Sequence, residues 1–405
     1  MPKPDRRPMT PGNVVLAQRT IRLDALTGLR WWAAFAVFVY HMRIFAPLPS
    51  SHLRALINQG FFGVTFFFVL SGFVLTWSMR PGVSKSTFYT RRFARIWPSH
   101  MVGLLLAVPV FYTLSTIPAG SFLKPFDLGI LLLSVVVLQG WWAAPNVLFS
   151  GNPAAWTLTV EALFYALHPW ISRLLTPLSR RGALGVAAFA LVWAFGYRLG
   201  VVLWPTSWLA AVPMPITRVP EFLLGMGLAW AMRSGWVPRL HSLVGIGALA
   251  AVLFGIVFAT SRPSLAPLLP FNNEFFTLAV GIAIVAIASH TLRGKRSMFE
   301  QRWQVKLGEW SFVFYLVHAT VIYLALRLFG GQAASWRNLL WMAGIFAIAL
   351  LLSWAVHTYV ERPCEKLIRG WKDRRDARRA VQTSATSGGS GAGEPETSLI
   401  EKGTK

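Results

Sequence analysis

The sequence predicts an all-α protein, a polytopic transmembrane helical bundle of about ten spans with one further re-entrant or interfacial segment. Three observations carry this. Of 405 residues, 55% are hydrophobic and only 13% charged, too apolar a composition for a soluble globular chain. Apolar runs of roughly 17 residues or more recur along the whole length, enough for a helix to cross a bilayer. Lys and Arg cluster in the tails and in alternate connections, as cytoplasmic loops do. The same clustering argues against the nucleic-acid partner that a net charge of +24 would suggest.

Taken in order, residues 1–20 are basic and polar, with no apolar core before a small-residue cleavage site. They read as a cytoplasmic tail rather than a cleaved signal peptide. The first span, 28–46, grows out of RLDALTGLRWWAAFAVFVYH (22–41). Arg30 opens it and His41 lies inside it, three turns plus about 20° further on and so on the same face, about 16 Å away along the axis. An imidazole in an apolar span marks either a functional site or a packing hydrogen bond to a neighbouring helix, and spacing does not choose between them.

Further spans are predicted at 60–79, 99–118, 156–175, 182–204, 217–233, 241–260, 271–291, 307–329 and 338–359. The run 127–143 is ambiguous. If it crosses, every later loop changes side. If it is re-entrant or interfacial, the basic segments 80–95, 173–181, 233–239, 293–306 and from Arg362 onward all share a side with the N-terminal tail. About 30 basic residues then lie inside against about five outside (Arg43, Arg54, Lys124, Arg262, Arg337). That asymmetry selects ten spans with both termini cytoplasmic in a plasma membrane.

The single cysteine, Cys364, rules out an intramolecular disulfide and is expected to be cytoplasmic and reduced. The Gly/Ser/Thr-rich stretch 380–405 is expected to be disordered. The domain plan is therefore a tail at 1–20, a transmembrane domain at 21–370, and a basic then disordered cytoplasmic tail at 371–405. No loop is long enough for a second soluble domain. Nineteen tryptophans, with Trp141, Trp142, Trp204 and Trp208 near span ends, suit interfacial belts; stacking on a sugar ring is the functional alternative.

Several constellations carry chemistry. In FYTRRFARIWP, read as the first inner loop, Arg91, Arg92 and Arg95 are basic. Arg92 and Arg95 are three apart and share a helix face, a fork for phosphate oxygens or else a headgroup anchor. Glu161 is followed at i+4 and i+7 by Tyr165 and His168 on one face. Arg218 and Glu221, three apart, suit an internal ion pair, and Tyr315 and His318 pair inside a later span. So many polar groups in a bundle either satisfy one another or line a cavity. There is no Walker loop, GxSxG elbow or metal-ligand cluster, and the histidines lie on separate spans. No metal is expected.

In order along residues 20–370 stand Arg30-x10-His41, GVTFFFVLSGFVLTW (63–77), RRFARIWP (91–98), WTLTVEALFY (156–165), RVPEFLLG (218–225), LGEWSFVFYLVH (307–318) and YVERPCEKL (359–367). This series resembles the acyltransferase-3 family of integral membrane O-acyltransferases. The resemblance implies transfer of an acyl group, typically from acyl-CoA as co-substrate with no bound cofactor, onto a hydroxyl of a carbohydrate or glycosylated metabolite. It implies that His41 is catalytic with Arg30 as its motif partner, that Glu161 holds the family's WSL-x-x-E position, and that Arg92 and Arg95 face the acyl donor. Arg218, Glu221, Tyr165, His168, Tyr315 and His318 are then an acceptor-binding or structural polar network.

Two departures stand out. Thr65 occupies a position where many members carry Asp, and the hydrolase-like domain fused to some polysaccharide acetylases is missing. The motif variant at 63–77 and the single-domain layout are similar to the branch acylating sugars of macrolide antibiotics. From another class, a transporter or flippase of a polar or glycosylated substrate would also line its path with Arg, Glu and His. It would predict discontinuous helices or an internal repeat, and the sequence presents neither clearly.

Overall fold

A computed structural model describes residues 21–80, 82–117 and 121–388, with side chains through residue 378. The N-terminal tail and residues 389–405 lie outside the described residues, and so do the expectations that fall on them. The long helices are α1 (Asp24–Phe45), α2 (Gly63–Trp77), α3 (Lys85–Phe111), α5 (Trp156–Leu175), α6 (Arg180–Leu203), α7 (Val219–Arg233), α8 (Ser242–Thr260), α9 (Asn272–Leu292), α10 (Arg302–Phe329), α11 (Asn338–Val356) and α12 (Arg362–Gly388). The short helix α4 covers Leu128–Val135. The one strand pairing among the described residues joins Tyr112–Thr113 to Lys124–Pro125. The protein is all-α, and seven helical stretches of the described residues are long and apolar enough to cross a membrane.

Two expectations are corrected. The RRFARIWP segment is not a loop: α3 starts at Lys85, well before the predicted 99, because Ser84 caps it by accepting from the Thr87 N–H at 3.1 Å. Arginine is a good helix former whatever its hydropathy, so a hydropathy reading places this boundary too late. The ambiguous run 127–143, read as re-entrant or interfacial, holds the eight-residue α4, capped by Asp127, and a 3-10 turn at Gln139–Trp141. Eight residues rise about 12 Å, far short of the hydrocarbon core. Second, helix continues beyond the predicted end at 359 as far as Gly388, so residues 380–388, expected to be disordered, are helical. The sequence KDRRDARRA within α12 is rich in helix formers. Lys372 pairs with Asp376 at 2.6 Å, and Thr87 donates to Asp376 at 2.9 Å, which docks α12 on α3.

The bundle has a buried centre and an exposed apolar rim. The most apolar stretches of Pro263–Leu292 and Arg302–Phe329 are 72% and 61% buried, against 17% for both α6 and α8. Phe189 and Val192 of α6 and Phe254 and Phe258 of α8 are accordingly exposed, facing what lipid would cover. Between helices in lipid, close van der Waals packing replaces the hydrophobic drive, and small residues permit it. Gly72 of α2 and Gly225 of α7 lie against each other's helix. A Cβ on Gly72 would overlap the Phe222 carbonyl, and one on Gly225 would overlap the Val69 carbonyl. α1 packs against α10 in the same way, with Gly308 against the Thr27 carbonyl and Phe38 against Phe314 at 5.7 Å between ring centroids.

Candidate active site

α1, α2, α3, α5, α10 and the turn that joins α11 to α12 enclose a central cavity of about 400 Å³. Arg30 reaches it from α1, and Arg92 and Arg95 from adjoining turns of α3. Glu161 and Tyr165 come from α5, and Tyr315 from α10. Six of the residues singled out in the sequence thus converge. Tyr165 donates its hydroxyl hydrogen to Glu161 one turn away. Arg30 and Arg95 lie within electrostatic reach of each other, with the carboxylates of Glu161 and Glu361 as compensating neighbours. Arg92 Nε is buried without a hydrogen-bond partner among the described residues.

The sequence reading missed four carboxylate or imidazole groups on this wall: His357, Glu361, Glu365 and Glu309. His357 and Glu361 sit on a π-helical turn, His357–Glu361, with Nδ1 3.0 Å from the carboxylate. The cause is local. Pro363 has no N–H to offer the Tyr359 carbonyl and its ring crowds that oxygen, so the helix widens just before it. The available signal was the His357-x-x-x-Glu361 spacing inside an otherwise apolar run.

His41 does not line the central cavity. It lies three turns beyond Arg30 on α1, beside His318 of α10. The rings are 5.1 Å apart, and His41 Nδ1 is 3.3 Å from His318 Nε2. His41 Nδ1 is also 2.9 Å from the Val37 carbonyl. His318 Nδ1 is 2.7 Å from the Tyr315 carbonyl and 3.2 Å from that of Phe314. A carbonyl only accepts, so both Nδ1 atoms carry hydrogen when the rings are neutral. His41 Nδ1–H is shared between the Val37 carbonyl and the lone pair on His318 Nε2. The lone pair of His41 is left on Nε2, where a base needs it. Tyr315 bridges the two regions, lining the cavity and touching the His318 ring at 5.6 Å.

The remaining predicted residues go elsewhere. His168 is buried in a second, neighbouring cavity, with Nε2 3.4 Å from Thr76 Oγ1. Arg218 and Glu221 form the expected ion pair at 2.8 Å. Glu221 also accepts from Asn273 at 2.8 Å, and Asn273 accepts from Thr65 at 2.7 Å. At the position where the family often has Asp, a hydroxyl is therefore linked through Asn273 to the Glu221 carboxylate.

Residues 23–358 match the acyltransferase domain family. The chain belongs to the acyltransferase-3 family. It is 34% identical to Acyltransferase MdmB of Streptomyces mycarofaciens over 86% of this chain and 93% of that protein. It is 26% identical to the peptidoglycan O-acetyltransferase OatA of Listeria monocytogenes, over 87% of this chain but only 58% of that longer protein. Nodulation protein 10 of Rhizobium leguminosarum is 27% identical over 75% of this chain and 82% of its own length. No solved structure matches. This acyltransferase is thus a membrane-embedded O-acyltransferase, and the comparisons do not favour the transporter alternative.

Proposed function

We propose that this acyltransferase moves an acyl group from acyl-CoA to a hydroxyl of a carbohydrate or glycosylated metabolite, with His41 as general base. The observation that carries the reading is the His41–His318 pair, whose carbonyl contacts leave His41 Nε2 as the free lone pair. His41 Nε2 takes the proton of the acceptor hydroxyl as its oxygen attacks the thioester carbonyl. The C–S bond breaks, and the departing thiolate regains the proton from the imidazolium. Such general-base help contributes about 10²–10⁴-fold, with positioning supplying much of the rest. Transfer through an acyl-histidine intermediate uses the same atoms in two steps. Arg30 and Glu161 stand on the donor's path, three turns of α1 short of His41, and Arg92 and Arg95 act on the donor from α3. A carbohydrate acceptor is supported by the likeness to a peptidoglycan O-acetyltransferase. The motif variant at 63–77 supports the sugar of an antibiotic-type metabolite within that class. The chain lies in the plasma membrane with both termini cytoplasmic, as the count of basic residues suggests.

The test is incubation of the purified protein with radiolabelled acetyl-CoA and a panel of glycosylated acceptors. Label appearing in an ester of one acceptor class is the expected result. Absence of transfer from acetyl-CoA to every acceptor would reject the donor assignment.

A further inference from the structure

A second cavity of about 660 Å³ opens beside the central one and shares Arg92 and Leu75 with it. Their charges differ in kind. In the central cavity, Arg22, Arg30, Arg92 and Arg95 face Glu161, Glu309, Glu361 and Glu365, of which Glu365 also pairs with Arg369 of the second cavity. Arg22 pairs directly with Glu309 at 2.7 Å. The second cavity is lined by Arg80, Lys85, Arg91, Arg92, Arg173 and Arg369, against the single carboxylate of Asp373. That carboxylate is engaged, 3.6 Å from Arg91, and Arg369 pairs with Glu365, so the excess of positive charge rests on Arg80, Lys85, Arg92 and Arg173. Lys85 and Arg173 lie within electrostatic reach of each other, as do Arg92 and Arg369. Converging like charges raise the free energy of the empty site, and a polyanion lowers it. The central cavity, whose arginines face four carboxylates, offers a polyphosphate no comparable gain.

We propose that this basic vestibule holds the phosphorylated nucleotide end of the thioester donor, while the pantetheine arm passes Leu75 and Arg92 into the central cavity. The inference rests on the reading that the donor is acyl-CoA. It moves the phosphates outward from the Arg92/Arg95 fork. Arg80, Lys85, Arg91 and Arg173 take the diphosphate and the ribose phosphate, Arg92 stands at the threshold, and Arg95 acts on the neutral part of the donor. An anionic lipid headgroup offers the same phosphate chemistry. The shared wall with the central cavity favours the donor, because a ligand anchored in the vestibule extends directly into the site.

The experiment compares acetyl-CoA with acetyl-pantetheine, which lacks the nucleotide, using the full-length protein in nanodiscs of zwitterionic lipid. The readout is the ratio of kcat/KM for the two donors, which does not depend on the fraction of active protein. The wild type should prefer acetyl-CoA. Arg173→Ala and Lys85→Ala should each lower that preference by about tenfold or more, the loss of one charge-assisted contact, with Arg173→Lys retaining most of it. If both alanine variants keep the full preference, the vestibule does not hold the nucleotide, and the donor assignment still stands. If the preference changes only when anionic lipid is added, the vestibule is a headgroup site and the proposal fails. If the wild type uses neither thioester with any acceptor, the donor reading fails first.

Discussion

His41 has its tautomer set by groups that cannot change theirs, the main-chain carbonyls of its own helix and of α10. His318 contributes the one side-chain acceptor to this arrangement and is fully buried. It acts through His41, as a positioning residue. His318→Phe keeps a ring against Phe314, which now stacks on His318 at 16°, while removing the Nε2 acceptor. The expected outcome is a fall in kcat of roughly tenfold with donor KM unchanged. A raised donor KM with unchanged kcat would instead assign His318 to the wall of the donor path. Both histidines were legible in the sequence because ionisable groups are costly in apolar spans. Their pairing across 277 residues was not, since it depends on how α1 and α10 pack. Glu361 was passed over because YVERPCEKL reads as a charged connection, and only the π-helical turn aims its carboxylate inward.

Among the elements, α3 shows how far hydropathy alone misplaces a boundary. Its arginines were expected on a loop, and the Ser84 cap instead makes them one helical face that serves both cavities. Arg92 lines both, so Arg92→Ala should raise the KM for acetyl-CoA several-fold, since the contact is made in ground state and transition state alike. Unchanged donor KM together with lost membrane insertion would mark α3 as an anchor only. The α2–α7 contact makes a separate prediction. Gly72→Leu places a side chain where the Phe222 carbonyl lies, and overpacking of this kind costs about 1–3 kcal/mol. The midpoint of thermal unfolding in detergent should drop by several degrees. An unchanged midpoint would mean that the helices can separate without cost. The helix pattern itself was readable from apolar runs, whereas the glycines that let α2 and α7 touch carry no periodic signal.

For the molecule as a whole, the proposed ten-span plan puts the basic connections and α12 together on the cytoplasmic side. Cys364, the only cysteine, sits half-buried on α12. A membrane-impermeant maleimide should leave it unlabelled in intact cells and react only after permeabilisation. Labelling of intact cells would reverse every loop after α4. The central claim is that one bundle transfers an acyl group from a cytoplasmic thioester to an acceptor hydroxyl at His41. Transfer of radiolabelled acetyl by wild-type and His41→Ala protein in nanodiscs tests this most directly, with matched insertion checked by size-exclusion profile. The account predicts a loss of at least about 10²-fold in the variant, with its fold and insertion intact. Turnover near that of the wild type would contradict it.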